Sequence, residues 1–211
     1  MPTHAKCKRT SSAPLWVRAI AEVNLQIACI RRPPSRRSKL NDVSFTVRPA
    51  RTSDVPFIQD LVEPLVQSRI LLGKDLVVLY EAVQEFRVVV DANDTPIGCG
   101  ALHVMWQDLG EVRTLAVAEQ HLHQGAGHAL LERIEADAIA LGLSRLFCLT
   151  FEVEFFGKHG FAPIDDAIVA PDVYAQLALS PDEGIAEFLD LARVKPNTLG
   201  NTRMLKQLNA N

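Results

Sequence analysis

The sequence has no CxxC pair. Its four cysteines, Cys7, Cys29, Cys99 and Cys148, are scattered, which argues against a disulfide framework or a structural zinc site and fits a reducing compartment, the cytoplasm. No stretch of about 18 uncharged apolar residues is present. The best candidate, Leu15 to Ile30, is broken by Arg18 and Glu22, so an integral membrane protein is not expected. The six histidines, His4, His103, His121, His123, His128 and His159, form no HExxH and no other zinc spacing, so no metal is expected. Two phosphate-binding signatures are missing as well, the GxxxxGK[ST] of a P-loop and the GxGxxG of a dinucleotide fold, and no nucleophilic triad is evident. Cys148 sits in an apolar run and reads as a small buried hydrophobe.

What is there suits one domain, or one domain plus a tail: 211 residues, 48% hydrophobic and 22% charged, enough apolar surface for a real core. The net charge of −3 hides an asymmetry. Residues 1–40 carry nine Lys/Arg against the single acid Glu22, whereas the remainder carries thirteen bases against twenty-four acids. The basic leader, ending in RRPPSRRSK, reads as a flexible N-terminal extension over residues 1–42, since Pro33-Pro34 and a Ser/Arg run cannot build a core. Tethering to nucleic acid through that leader is the alternative, although neither nucleic acid nor membrane is expected as a partner. A domain over residues 43–211 then has to explain function.

Within it, strands and helices alternate. Ser44 to Arg48 alternates as a strand, and Thr52-Ser53-Asp54 with Pro56 caps a helix expected over Val55 to Gln67. Leu76, Leu79, Tyr80, Val83 and Phe86 recur at helical spacing and predict a helix over 75–86. Phe86 to Val90, the Asp91–Asp94 turn and Ile97 to Met105 read as a hairpin, and Glu111 to Val117 as a third strand. Then come a glycine loop, a helix from His128 to Leu141 ended by Gly142, a strand from Leu143 to Phe151 and a short helix near Glu154 to His159. The order implies an α/β (α+β) fold, a mixed central sheet flanked by helices with a right-handed crossover.

A strand feeding a glycine loop into a helix N-terminus is a ready anion site, because the first-turn N–H groups lack acceptors and the helix dipole is positive there. Gly125 and Gly127 let a phosphate approach the backbone. With that in view, four segments resemble the GNAT superfamily of acetyl-CoA-dependent N-acetyltransferases: Glu111 to Val117, Leu122-His-Gln-Gly-Ala-Gly127, Leu146 to Thr150, and Phe155-Phe-Gly-Lys-His-Gly-Phe161. The likeness runs from Val47 to past Phe161. It implies that Leu115, Ala116 and Val117 meet the pantetheine arm of acetyl-CoA, that N–H groups of Leu122, His123, Gln124, Gly125, Ala126, Gly127 and His128 cradle the diphosphate, and that Phe156 contacts the cofactor. Leu122 departs from the family's Arg or Gln.

A narrower resemblance, carried by LLGKDLVVLYEAVQEF, GEVRTLAV, LTFEVEFF and VKPNTLGNTRML, is to the short actinobacterial L-glutamate N-acetyltransferases, which take the first step of arginine biosynthesis. Longer relatives carry an amino-acid-kinase-like domain for which this chain is expected to have no room. The resemblance implies direct acetyl transfer to the α-amine of L-glutamate in a ternary complex. Another amine (glutamine, a polyamine or a protein N-terminus) and a non-catalytic acetyl-CoA-binding regulator are the alternatives. An amine attacks only when neutral, so a base is needed; Glu111 is the candidate, with the Leu115 N–H as the oxyanion donor. Carboxylate recognition falls to Leu72, Lys74, Arg113, Lys195, Asn201 and Arg203. Arg113 lies two residues beyond Glu111 on the same strand face and is expected to present a carboxylate clamp beside the base. Many relatives protonate the departing thiolate with a tyrosine where this chain has Phe156, so the thiolate leaves as such or takes a proton from water or Tyr174. A homodimer is expected by likeness to relatives.

Overall fold

A computed structural model describes residues 45–165, 169–191 and 200–208, all within the unit Asp42–Asn211. The reading of residues 1–42 as a flexible extension therefore lies outside the described residues. In chain order the elements are β1 (Thr46–Pro49), α1 (Val55–Gln67), α2 (Leu76–Glu81), β2 (Phe86–Val90), β3 (Pro96–Val104), β4 (Leu109–Val117), α3 (Ala126–Ala140), β5 (Arg145–Thr150), α4 (Val153–Lys158), β6 (Ala162–Pro163), α5 (Pro171–Leu177), α6 (Glu183–Phe188) and β7 (Thr202–Gln207). The strands form one mixed sheet in the order β1-β2-β3-β4-β5-β7-β6. Every pairing is antiparallel except β4 with β5. That parallel pair is joined through α3, as a parallel pair requires a crossover longer than a hairpin turn.

Alternation along the strands sends side chains to two buried faces. Leu102, Val112, Leu146, Cys148 and Met204 pack with Leu131, Ile134 and Ala138 of α3. On the opposite face Val88, Cys99 and Ala101 pack with Val55, Ile58 and Val62 of α1 and Leu79 of α2, while Phe147 and Leu205 pack with Leu177 of α5 and Ile185 and Phe188 of α6. This second face thus carries two separate groups of helices, one at each side of β4, and β4 floors the gap between them. The end of α3 has a local cause. Gly142, at φ 86°, closes α3 with paired bonds from its own N–H to Ile139 O and from Leu143 N–H to Ala138 O, the arrangement that satisfies terminal carbonyls.

The structure departs from the sequence reading in three places. The helix expected over 75–86 stops at Glu81, because Ala82 leaves helical geometry at ψ 7°, and resumes as a 3-10 turn over Val83–Glu85. Asp54 precedes α1 without bonding its first turn; its buried carboxylate instead accepts from the Arg51 N–H at 2.7 Å and from both terminal nitrogens of Arg48. Four elements, β6, α5, α6 and β7, were not anticipated. In β7, a strand inside the sheet, Met204 and Leu205 sit side by side and hide the alternation.

Candidate active site

β4 is built irregularly, and the irregularity makes the site. Ala101 pairs with Arg113 but Cys99 pairs with Ala116, so three steps on β4 oppose two on β3. The extra residue forms a bulge, with Thr114 at φ 54°. On its other side β4 pairs with β5 only from Leu109 to Glu111, while β5 continues to Thr150 against β7. The two parallel strands part beyond Glu111. From Val112 to Val117, then, one edge of β4 turns its backbone donors and acceptors toward a gap, a template for an extended ligand with amide groups of its own. Leu115, Ala116 and Val117 lie along it.

At the end of that edge the chain passes through a 3-10 turn, Glu119–His121, and reaches α3 by way of two residues with positive φ, His123 at 61° and Gly125 at 95°. Gly125 is the N-cap and supplies no side-chain acceptor. The first-turn N–H groups of this 15-residue helix therefore converge at its positive end. Leu122 is 46% exposed at the mouth of the loop. A Cβ on Gly127 would meet the Phe155 ring at 3.6 Å, so Phe155 faces the start of α3. Phe156 does not: it is 5% exposed, edge-on to Phe155 and Phe161 in the core. Phe156, expected to contact the cofactor, is thus packed among core rings in this structure. His128 in the same first turn stacks on His159, with Nδ1 to Nε2 at 2.6 Å; burial and the His128 charge hold His159 below its ordinary value.

The gap between the two helix groups is a cleft of about 380 Å³. One wall is Ile70 to Asp75 with Val78; the other is Pro181 to Gly184 with Glu187; the floor is Glu111 to Thr114 of β4 with Leu149 and Asn201. Leu72, Lys74, Glu111, Arg113 and Asn201 are thereby brought together from three parts of the chain. Arg203 is not: it projects from β7 to donate to the Asp165 carbonyl at 2.6 Å. Tyr174, on α5, is outside the cleft lining. Lys195 lies outside the described residues.

Two cations face this cleft in opposite states. Lys74 has no ion-pair partner among the described residues, so its ammonium is available to an anion. Arg113 is held by two carboxylates: Nε donates to Glu111 Oε2 at 2.6 Å, and the two terminal nitrogens donate to Asp182 at 2.9 and 2.5 Å. Arg113, expected to present a carboxylate clamp beside the base, has Glu111 and Asp182 as partners in this structure. Its side chain is only 10% exposed, and a guanidinium so far desolvated needs carboxylate partners from the protein itself. Burial works against its charge, but Glu111 and Asp182 outweigh burial and raise it above the usual arginine value. Burial likewise opposes the Asp182 charge, yet Arg113, the Ile185 N–H and His103 hold that carboxyl below its usual value. Asp182, Gly184 and Glu187 were missed in the sequence because α6 was missed. The Pro181-Asp182 pair ahead of an apolar run was the available sign of a helix N-cap.

Among the described residues no group of three or more His, Cys, Asp or Glu could hold a metal ion, and no helix is long and apolar enough to cross a membrane.

Residues 58–161 match the acetyltransferase (GNAT) family model. The amino-acid acetyltransferase of Mycobacterium tuberculosis is 53% identical over 166 residues, which cover 78% of this chain and 95% of that protein. The amino-acid acetyltransferase of Pseudomonas putida is 39% identical over 119 residues, 56% of this chain but 27% of that longer protein. Among solved structures, Rv2747 from M. tuberculosis in complex with CoA and NLQ superposes with a TM-score of 0.75 at 52% identity, covering 78% of this chain and 99% of that one. N-acetylglutamate synthase from Neisseria gonorrhoeae, complexed with coenzyme A and N-acetyl-glutamate, gives 0.62 at 26% identity, covering 79% of this chain and 35% of that one.

Proposed function

The chain belongs to the acetyltransferase (GNAT) family, and from that membership we propose that it moves the acetyl group of acetyl-CoA to the α-amine of L-glutamate, the entry to arginine biosynthesis. The observation that carries this reading is the cleft on β4: it sets Lys74, an ammonium with no ion-pair partner among the described residues, and a buried carboxylate, Glu111, beside an open strand edge that leads to the amides at the start of α3. A thioester carrier with a diphosphate fits that edge and those amides in one extended pose. The pantetheine amides pair with the backbone of Leu115 to Val117, and the diphosphate takes the N–H groups of residues 123–128.

The roles follow from placement. Lys74 binds a substrate carboxylate and Asn201 donates to it. Glu111, 4% exposed on the cleft floor, takes the proton of the α-ammonium, directly or through water, so that the amine attacks the thioester carbonyl. The Leu115 N–H stabilises the oxyanion. The C–S bond then breaks and coenzyme A leaves as thiolate or with a proton from water, since Phe156 has none to give. A homodimer in the cytoplasm accompanies this reading.

A second substrate has its own support. Among the described residues the cleft lining has five acids, Asp75, Glu111, Asp182, Glu183 and Glu187, against Lys74 and Arg113, and this excess disfavours a second substrate carboxylate; glutamine, with a neutral side-chain amide, avoids the repulsion. A thiol-release assay with acetyl-CoA and a panel of amino acids and polyamines decides. The proposal expects turnover with glutamate. Turnover with glutamine alone transfers the assignment to the amide, and release with none of the panel rejects the enzyme reading.

A further inference from the structure

We propose that Asp182 is a positioning residue for the transfer, acting through Arg113 to set the orientation and basicity of Glu111, with the first turn of α6 as the part of the fold that holds it there. The inference rests on the reading of Glu111 as the base.

Three observations converge. First, Asp182 has two employments at once: its Oδ1 accepts the Ile185 N–H at 3.0 Å, capping α6, and its two oxygens take both terminal nitrogens of Arg113. The carboxylate is therefore fixed by a helix end rather than by a mobile loop. Second, the same guanidinium uses its remaining Nε to hold Glu111 Oε2. The three side chains form a chain of charge-assisted bonds from α6 to the floor of the cleft, spanning 69 residues of sequence between Arg113 and Asp182. Third, α6 leans on this pair so closely that a Cβ on Gly184 would stand 2.6 Å from Glu111 Oε2 and 2.7 Å from the Arg113 terminal nitrogen. A residue with a side chain at 184 would push the pair apart.

The physical consequence is electrostatic. Alone, Arg113 would press a full positive charge on Glu111; Asp182 neutralises much of that charge. The other groups facing Glu111 are Glu183 and Glu187 from α6, Lys74 and Asp75 from the opposite wall, Cys148 from β5, and on β3 its cross-strand neighbour His103, which is bonded to Glu85.

The test compares Asp182→Asn with the native enzyme. Asparagine keeps an N-cap acceptor and removes the charge; Asp182→Ser does the same with a shorter side chain, so a loss from misfolding in one variant is checked by the other and by thermal melts. Expected for both are a kcat lower by about tenfold, a KM for acetyl-CoA within twofold of native, and an acid limb of kcat/KM for the amine displaced to lower pH, because the positive charge of the Arg113 guanidinium is no longer offset. A purely structural Asp182 would leave the limb where it is. Superimposable kcat and pH profiles, measured alongside a Glu111→Gln enzyme that is inert, overturn the role of Asp182 and leave the base standing. A Glu111→Gln enzyme with the native profile removes the base and this proposal with it.

Discussion

The start of α3 and the cleft on β4 are the two halves of the proposed site, built from different materials. The first is backbone: N–H groups aimed by His123 and Gly125 at positive φ and by the helix that follows. The second is side chain: Glu111, Arg113, Lys74, Asn201 and Asp182, drawn from β4, the loop before α2, the approach to β7 and the cap of α6. A backbone site tolerates exchange of side chains and fails when φ is forced; a side-chain site fails at single atoms. Leu122 illustrates the first half, since an apolar residue there leaves the amides in place. Arg113 illustrates the second, since its partners decide what it can bind.

Substitutions sharpen this contrast. Glu111→Gln is expected to lower kcat by about a hundredfold or more with the acetyl-CoA KM nearly unchanged; steady-state kinetics with both substrates varied would break the division if the carrier KM rose instead. Lys74→Ala should raise the KM for glutamate by roughly tenfold to thirtyfold, the worth of one charge-assisted bond, with kcat close to native. Gly125→Ala puts a Cβ at φ 95° and costs about 1 kcal/mol or more; a severalfold rise in acetyl-CoA KM with an unaltered glutamate KM is the expected mark of a backbone site. Leu122→Arg should act in the opposite sense, lowering the acetyl-CoA KM by about twofold to fivefold at low salt, an effect that fades as salt screens it.

The smallest effect is on stability. Because the Asp182 carboxyl is held below its usual value when folded, its contribution is complete above the unfolded value, about pH 4, and is lost as pH falls through the folded one. The Tm difference between the native protein and Asp182→Asn should be flat from pH 6 to 9 and shrink in acid. A difference that grew in acid would contradict the sign.

The two halves were not equally legible. α1 and β2 were read from the sequence with the bounds they have, Val55–Gln67 and Phe86–Val90, because an amphipathic run with a proline in its first turn and a short β-branched run are local signals. The loop was legible through Gly125, which stands at positive φ, but α3 starts at Ala126 rather than at the His128 read from the sequence, and the positive φ of His123 has no glycine to record it. Glu111 and Arg113 could be placed on one face from the strand period alone. That Arg113 is already taken could not be read, because its partner Asp182 caps a six-residue helix with no amphipathic period, and tertiary contact brings the two together. Likewise, nothing near Phe156 in the sequence shows that Phe155 and Phe161 close around it.

The most direct test of the account is a crystal structure of the protein with coenzyme A and L-glutamate bound together. The account predicts the diphosphate within hydrogen-bond reach of the amides of residues 123–128, the pantetheine along Leu115 to Val117, and the glutamate in the β4 cleft with a carboxylate on Lys74 and its amine toward Glu111. Coenzyme A bound away from the start of α3, or an amino acid seated outside that cleft, would contradict it.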